Sequence, residues 1–379
     1  MLRRIEEFFE EKTDNISFIQ LREDSNLNIN GYNLEGTLPM PILINKLVKE
    51  IKDGDAVEEL NFDNVIEGMI YTLGVNPNFE HRDTYLEILK AYDNNIEGYI
   101  LSEGINKVKN NNLDDGIVYL RCLINIDKEN VKGLYAYGFA LEEKSIKYFN
   151  NKNINEGNVF FSESTNHLEK ILDIDDTFEL AYYKLGYHYR NTKQYKKAEI
   201  MWDKFINMTK DEELLEEIQL QLQVIEDDVQ YEEGYNLVLR GQPKEGLDKL
   251  LPLKEKHSDW WNLLFMIGLG YRQMGDFIEA KNYFENVLAI NPDQVDTLNE
   301  LGLCLANMGQ YDDAIQKFTK GIELKPKDYE ILCNRGMTYL QKGSIDKGTV
   351  DIENAYNINP QDEITISCMR EIERLKDEV

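Results

Sequence analysis

Residues Trp261–Gln294 read WNLLFMIGLGYRQMGDFIEAKNYFENVLAINPDQ. The next two stretches of equal length, Val295–Asp328 and Tyr329–Asp362, return the same residue types to the same places. Gly268, Gly302 and Gly336 share one position, as do Gly275, Gly309 and Gly343. Ala280, Ala314 and Gly348 share another, and so do Pro292, Pro326 and Pro360. A fixed period of about 34 residues with such marks denotes a helical repeat array. Within the first stretch Leu264, Ile267, Gly268 and Tyr271 hold the i, i+3, i+4, i+7 spacing of one helix face, helix A. Gly275 suits the left-handed residue at a helix C-terminus. Ala280, Phe284 and Val287 form the face of a second helix, B, and Pro292 stops it and can open the next helix. Small residues at Gly268 and Ala280 let two backbones approach within about 8–10 Å.

The pattern resembles the tetratricopeptide repeat family. Val287 and Gly321, Leu305 and Arg335 depart from its usual residues, and that pattern is degenerate. The resemblance implies an all-α, right-handed superhelical α-solenoid that binds other molecules and does no chemistry. Weaker matches extend it towards the N-terminus through Gly234 and Gly246, Leu185 and Ala198, Leu134 and Gly138, and Gly104 and Gly116. About seven helix pairs are expected over 97–362. Two irregularities interrupt them, at 142–160, which looks like a lengthened helix pair, and at 212–226, which should run on into the next helix. Residues 363–379 suit a capping helix at the open end.

Residues 1–96 lack the repeat marks and read as a small mixed or helical cap. Ile16, Phe18 and Gln20 are expected to pair as a short hairpin with Leu27, Ile29 and Gly31. Helices are expected at Ile42–Ile51, Val65–Leu73 and Thr84–Tyr92.

The 379 residues carry a net charge of −28, which disfavours phosphate-directed nucleic-acid binding and an anionic membrane surface. A basic protein partner is compatible with that charge, and so is simple solubility. Asp211–Glu233 holds the densest acidic run. No apolar run of 18 residues occurs and no apolar signal region follows the first residues, so a cytoplasmic protein is expected. Cys122, Cys304, Cys333 and Cys368 have no paired spacing and read as buried thiols in a reducing compartment. The abundance of Ile, Asn and Lys points to an AT-rich bacterial genome.

No catalytic, cofactor or metal constellation is legible. His81-Arg82-Asp83 lacks the rest of a kinase signature. The four histidines are far apart, and Gly268-Leu-Gly270 is explained by the repeat. The family resemblance implies a binding groove lined by inner positions of helix A. Those positions hold Tyr135 and Phe139, Tyr183 and Tyr187, Tyr231 and Tyr235, then Phe265 and Leu269, with Arg190 and Arg272 as basic inner residues. Tyrosines suit peptide contact because they give broad area at little rotamer entropy. The same rings could instead pack against the neighbouring repeat. Beyond them the stripe changes to Asn299, Leu303, Cys333 and Met337. The Lys and Asn clamp by which one subtype grips chaperone tails is absent, since its places hold Phe265, Leu269, Asp296, Glu300, Glu330 and Asn334. Two functions follow as expectations. One is a scaffold that binds a protein or peptide segment in the groove. The other is a peptide-responsive bacterial signalling regulator whose array changes conformation on binding.

Overall fold

The computed structural model describes residues 2–20, 27–29, 32–34, 38–46, 48 and 62–377. They fall into two compact units, one up to Ile218 and one from Gln219.

Seven helix pairs build most of both units, and one backbone device marks each. Gly241, Gly275, Gly309 and Gly343 take φ of 75°, 80°, 76° and 83°, and Asn111, Lys152 and Lys193 take 63°, 60° and 59°. Each residue sits in the turn between a helix A and its helix B. At Gly275 the Asp276 N–H reaches the Tyr271 carbonyl and the Gly275 N–H reaches that of Arg272, both at 3.0 Å. This closes the last helical carbonyls by the Schellman pattern. The same bonds recur from Asn112 to Lys107, Asn153 to Tyr148, Gln194 to Tyr189, Gln242 to Leu237, Gln310 to Leu305 and Ser344 to Tyr339. Repeats whose sequence marks are weak therefore keep the turn although three of them lack the glycine. Pro292 lies in the turn between helices Phe277–Ile290 and Val295–Asn307. It ends one helix without opening the next.

The first unit holds the pairs Ile96–Lys109 with Leu113–Ile126, Val131–Asn150 with Ile154–Ile174, and Glu179–Asn191 with Tyr195–Ile206. The middle pair is lengthened, at 20 and 21 residues. Helices Leu2–Lys12, Phe62–Val75 and Arg82–Tyr92 precede them. The buried Arg121 fastens this region. It donates to Glu6 at 2.5 and 2.7 Å and to the Gly74 and Val75 carbonyls at 3.3 and 3.2 Å. Its guanidinium also lies 3.7 Å from the centre of the Phe9 ring. Lys12 and Lys144 both reach Asp114 at 2.6 Å.

The expected pairing of strands in this region is corrected. Ile16–Ile19 pairs antiparallel with Met40–Leu43, and a separate two-stranded ladder joins Leu27–Ile29 to Tyr32–Leu34. Met40, Ile42 and Leu43 are buried beneath helix Phe62–Val75. A long-range partner that buries this strand outcompetes the local hairpin. Residues 42 and 43 are consequently strand, residues 44–46 and 48 are helical, and the rest of the helix expected at Ile42–Ile51 lies outside the described residues. The helices expected at Val65–Leu73 and Thr84–Tyr92 are present within slightly wider limits.

Helix Glu212–Leu239 is continuous over 28 residues. In the second unit its C-terminal part pairs with Pro243–Lys256. Three regular pairs follow: Trp261–Gln273 with Phe277–Ile290, Val295–Asn307 with Tyr311–Leu324, and Tyr329–Gln341 with Ile345–Ile358. Helix Glu363–Asp377 closes this end, where Cys368 and Ile372 pack with Leu332, Cys333, Ile352 and Ala355.

The turn geometry gives a prediction of opposite sign at two exposed sites. Lys193→Gly removes a side chain from the left-handed region and should stabilise by about 0.5–1 kcal/mol, while Gly309→Ala should destabilise by about 1 kcal/mol. Urea unfolding followed by circular dichroism checks both. Equal midpoints for the two variants would refute the shared strain.

Candidate functional site

Within each unit, inner residues of neighbouring helices A face one another, and the pairs that start at Trp261, Val295 and Tyr329 do so at a constant period. Neighbouring helices A then meet across that surface, and much of their polar chemistry is used there. Lys184 reaches Glu142 at 2.8 Å, and Arg272 forms an ion pair with Glu300. Both links join the twelfth residue of one helix A to the sixth of the next, with the charges exchanged. Asn334 donates to Asn299 at 2.9 Å. Burial alone would raise the Glu142 carboxyl, but His188 and Lys184 together hold it below the usual range. For Glu300 burial prevails over Arg272, and the carboxyl is pushed up, with Asp296 and Glu330 adding to the rise.

The residues named from the sequence divide into three groups. Tyr183 and Tyr187 form a closed cluster in the first unit. Tyr183 donates to Glu217 at 3.0 Å, and Tyr187 donates to the same carboxylate. Their rings meet edge to face at 5.3 Å and pack on Phe205 and Trp202. The Arg190 guanidinium lies 5.1 Å from the Tyr187 ring. Burial, reinforced by Glu217, pushes both phenols up. The early part of helix Glu212–Leu239 thus seats a carboxylate on these two hydroxyls.

Tyr135 and Phe139 belong to a second group that leaves an opening. With Ile105, Val108, Lys109, Leu120 and Ala136 they line a recess of about 260 Å³ whose exposed surface is almost wholly apolar. Phe139 is 36% exposed, with the Lys184 ammonium 5.0 Å from its ring centre. Burial pushes the Tyr135 phenol up to about 12.

The third group lies in the second unit. Tyr231, Tyr235, Phe265 and Leu269 join Trp261, Met266, Asn262 and Asp296 around a recess of about 240 Å³. Tyr231 is fixed between Trp260, at 4.5 Å, and Tyr235, at 6.1 Å. Arg272 is outside this lining and is held by Glu300. Further along, Leu303 and Met337 line a more polar recess with Asn307, Asn334 and Gln341. Cys333 does not face it, being fully buried in the terminal core. Repeat positions pointed to the aromatic residues. They did not point to Ile105, Val108 and Trp261, whose exposure depends on how wide the gap beside them is left.

Among the described residues no group of three or more His, Cys, Asp or Glu is placed to hold a metal. No helix among them is long and apolar enough to cross a membrane. The four cysteines are free and buried.

Comparison with known proteins agrees with the repeat architecture. Tetratricopeptide repeat family models match residues 271–332 and 329–362. A TPR repeat-containing protein of Methanocaldococcus jannaschii is 24% identical over 273 residues. The match covers 64% of this chain and 45% of that protein, so the chain spans about half the length of this curated relative. Among solved structures, PilW, a widely conserved type IV pilus biogenesis factor, aligns at 16% identity over 61% of this chain and 98% of its own, with a TM-score of 0.39. YrrB, a TPR protein with an unusual peptide-binding site, aligns at 18% identity over 66% and 97%, with a TM-score of 0.28.

Glu217→Ala removes the acceptor of two hydroxyls while leaving both rings packed. Because the cluster is only half-buried, the expected loss is about 1–2 kcal/mol in urea unfolding, with helicity retained. An unchanged midpoint would mean that Glu217 contributes nothing to holding Tyr183 and Tyr187.

Proposed function

On the premise that this chain belongs to the tetratricopeptide repeat family, we propose that it binds an extended protein segment on the inner faces of its helices A. The family fold is a scaffold for binding proteins or peptides. The observation that carries the finer reading is the apolar recess of the first unit. Its lining of Ile105, Val108, Leu120, Tyr135, Ala136 and Phe139, with Lys109 as the one charged residue, leaves a large aromatic residue 36% exposed. An apolar side chain of a partner would bury area there at about 25 cal/mol per Å². Tyr135 and Phe139 are therefore the contact residues of this unit. Tyr183 and Tyr187 support the neighbouring wall, since Glu217 and Trp202 already engage them. In the second unit Tyr231, Tyr235, Phe265 and Leu269 are the corresponding contacts. Recognition by burial and shape, with no bond made or broken, is the whole mechanism. A cytoplasmic, non-enzymatic scaffold is the reading that fits this chemistry.

Phe139→Asp places a charge in the recess and should weaken a captured partner more than about tenfold, at unchanged helicity. The control is Val350→Asp, at an exposed residue of helix Ile345–Ile358. Pull-down from the source lysate, followed by titration of the retained protein, checks this. A partner held equally by both variants would overturn the assignment of the recess.

A further inference from the structure

The recess of the second unit differs in chemistry from that of the first. Four aromatic rings, Tyr231, Tyr235, Trp261 and Phe265, surround it, and the Asp296 carboxylate stands on its border. Tyr235 is 37% exposed, and Asp296 is exposed. The only polar contact of Asp296 given by the structure is an in-chain amide, Gln294 Nε2, at 3.3 Å. Behind it stand Glu300 and Glu330, and the one cation paired within this group is Arg272 on Glu300. Lys325, which also feels Asp296 and Glu330, is engaged by Asp328 at 2.8 Å. The inner aromatic residues of the first unit already carry cations, Lys184 over Phe139 and Arg190 over Tyr187. Among the described residues, no lysine or arginine lies over the four rings of this recess.

Resting on the peptide-binding reading above, we propose that this recess takes a cationic side chain of the bound segment, arginine before lysine. The ring faces attract a cation, and they attract it more strongly when it is partly desolvated. A guanidinium also stacks flat on an aromatic ring while its N–H groups reach a carboxylate in the guanidinium's own plane, which an ammonium cannot do. Asp296 supplies that carboxylate. A cation placed there also offsets the repulsion among Asp296, Glu300 and Glu330. Charge complementarity selects this occupant over an apolar side chain, for which the first unit offers the drier recess.

The chain has three tryptophans, so selective ¹⁵N labelling gives three indole signals in the full-length protein. Probes are end-blocked nonapeptides of alanine and serine with arginine, citrulline or norleucine at the centre. Citrulline keeps the shape of arginine and removes its charge. The arginine peptide should shift the Trp261 indole saturably and leave the fully buried Trp202 unmoved. The citrulline peptide should bind about tenfold more weakly. Asp296→Asn should weaken the arginine peptide about fivefold and bring it close to citrulline. Asp296 is an exposed residue in the first turn of its helix, so this variant keeps its fold.

Equal binding of arginine and citrulline peptides, or no effect of Asp296→Asn, overturns the proposal. So does the absence of any Trp261 shift with the arginine peptide. Norleucine binding as tightly as arginine would make the recess an apolar site, which defeats this inference and leaves the scaffold reading intact. Failure of the scaffold reading is seen separately, in the Phe139→Asp capture experiment.

Discussion

Each helix pair depends on a contact in which one backbone receives a side chain with nothing between them. A Cβ added at Gly302 would lie 2.5 Å from the Phe318 ring, and one at Gly268 would lie 2.7 Å from Phe284. At Gly186 the intruding group is the Trp202 indole, at 2.1 Å. The rings are fully buried in these contacts. A helix A that accepts a ring this deeply cannot rotate about its axis, because the ring would meet a Cβ on either side. The rotation in turn fixes which residues face inward. Repeats at a constant period therefore present a constant inner register, and the register is what gives a groove its lining.

That register brings polar groups of adjacent repeats face to face, where they join the repeats to one another. Glu142 with Lys184 and Arg272 with Glu300 are one arrangement with its signs reversed. Asn299 with Asn334, and Tyr183 and Tyr187 with Glu217, serve the same end. Such half-buried pairs contribute little net stability, but removing one partner strands the other. They act as register pins. A second result is that many inner polar groups are already engaged, which leaves the opening beside Phe139 apolar and the one beside Tyr235 aromatic, while the one beside Leu303 and Met337 keeps polar groups.

The sequence made the helix pairs legible because their marks are local. The glycine after helix A (Gly275), the small residues at the contact of the two helices (Gly268 and Ala280) and the proline after helix B (Pro292) each act within one turn or one contact. Even the long helix Glu212–Leu239 could be read, since Leu214, Leu215, Ile218, Leu222 and Ile225 keep one helical spacing. The N-terminal region resisted reading for the converse reason. Ile16–Ile19 has an equally good local partner by pattern, and its choice of Met40–Leu43 is decided by burial under helix Phe62–Val75. The candidate site was half legible. Its aromatic residues follow from repeat position, while Glu217 lies 34 residues from Tyr183, inside a run that composition alone presents as solvated charge. No pattern in Asp211–Glu233 singles out Glu217 from its nine acidic neighbours.

The acidity of the chain acquires a location from this. A net charge of −28 spread evenly would act on any partner through a screened field, about 8 Å deep at physiological salt. Such a field speeds encounter with basic proteins in general and distinguishes poorly among them. A carboxylate at the border of an aromatic recess acts at contact distance, where salt screens it less and geometry decides. Asp296 is in that position, and Glu217, bound by two hydroxyls, is not. Of two acidic residues that look alike in sequence, one therefore holds the array together and the other is left to meet a ligand. The difference lies in whether tyrosine hydroxyls reach the carboxylate, as those of Tyr183 and Tyr187 reach Glu217, or leave it to an amide, as at Asp296.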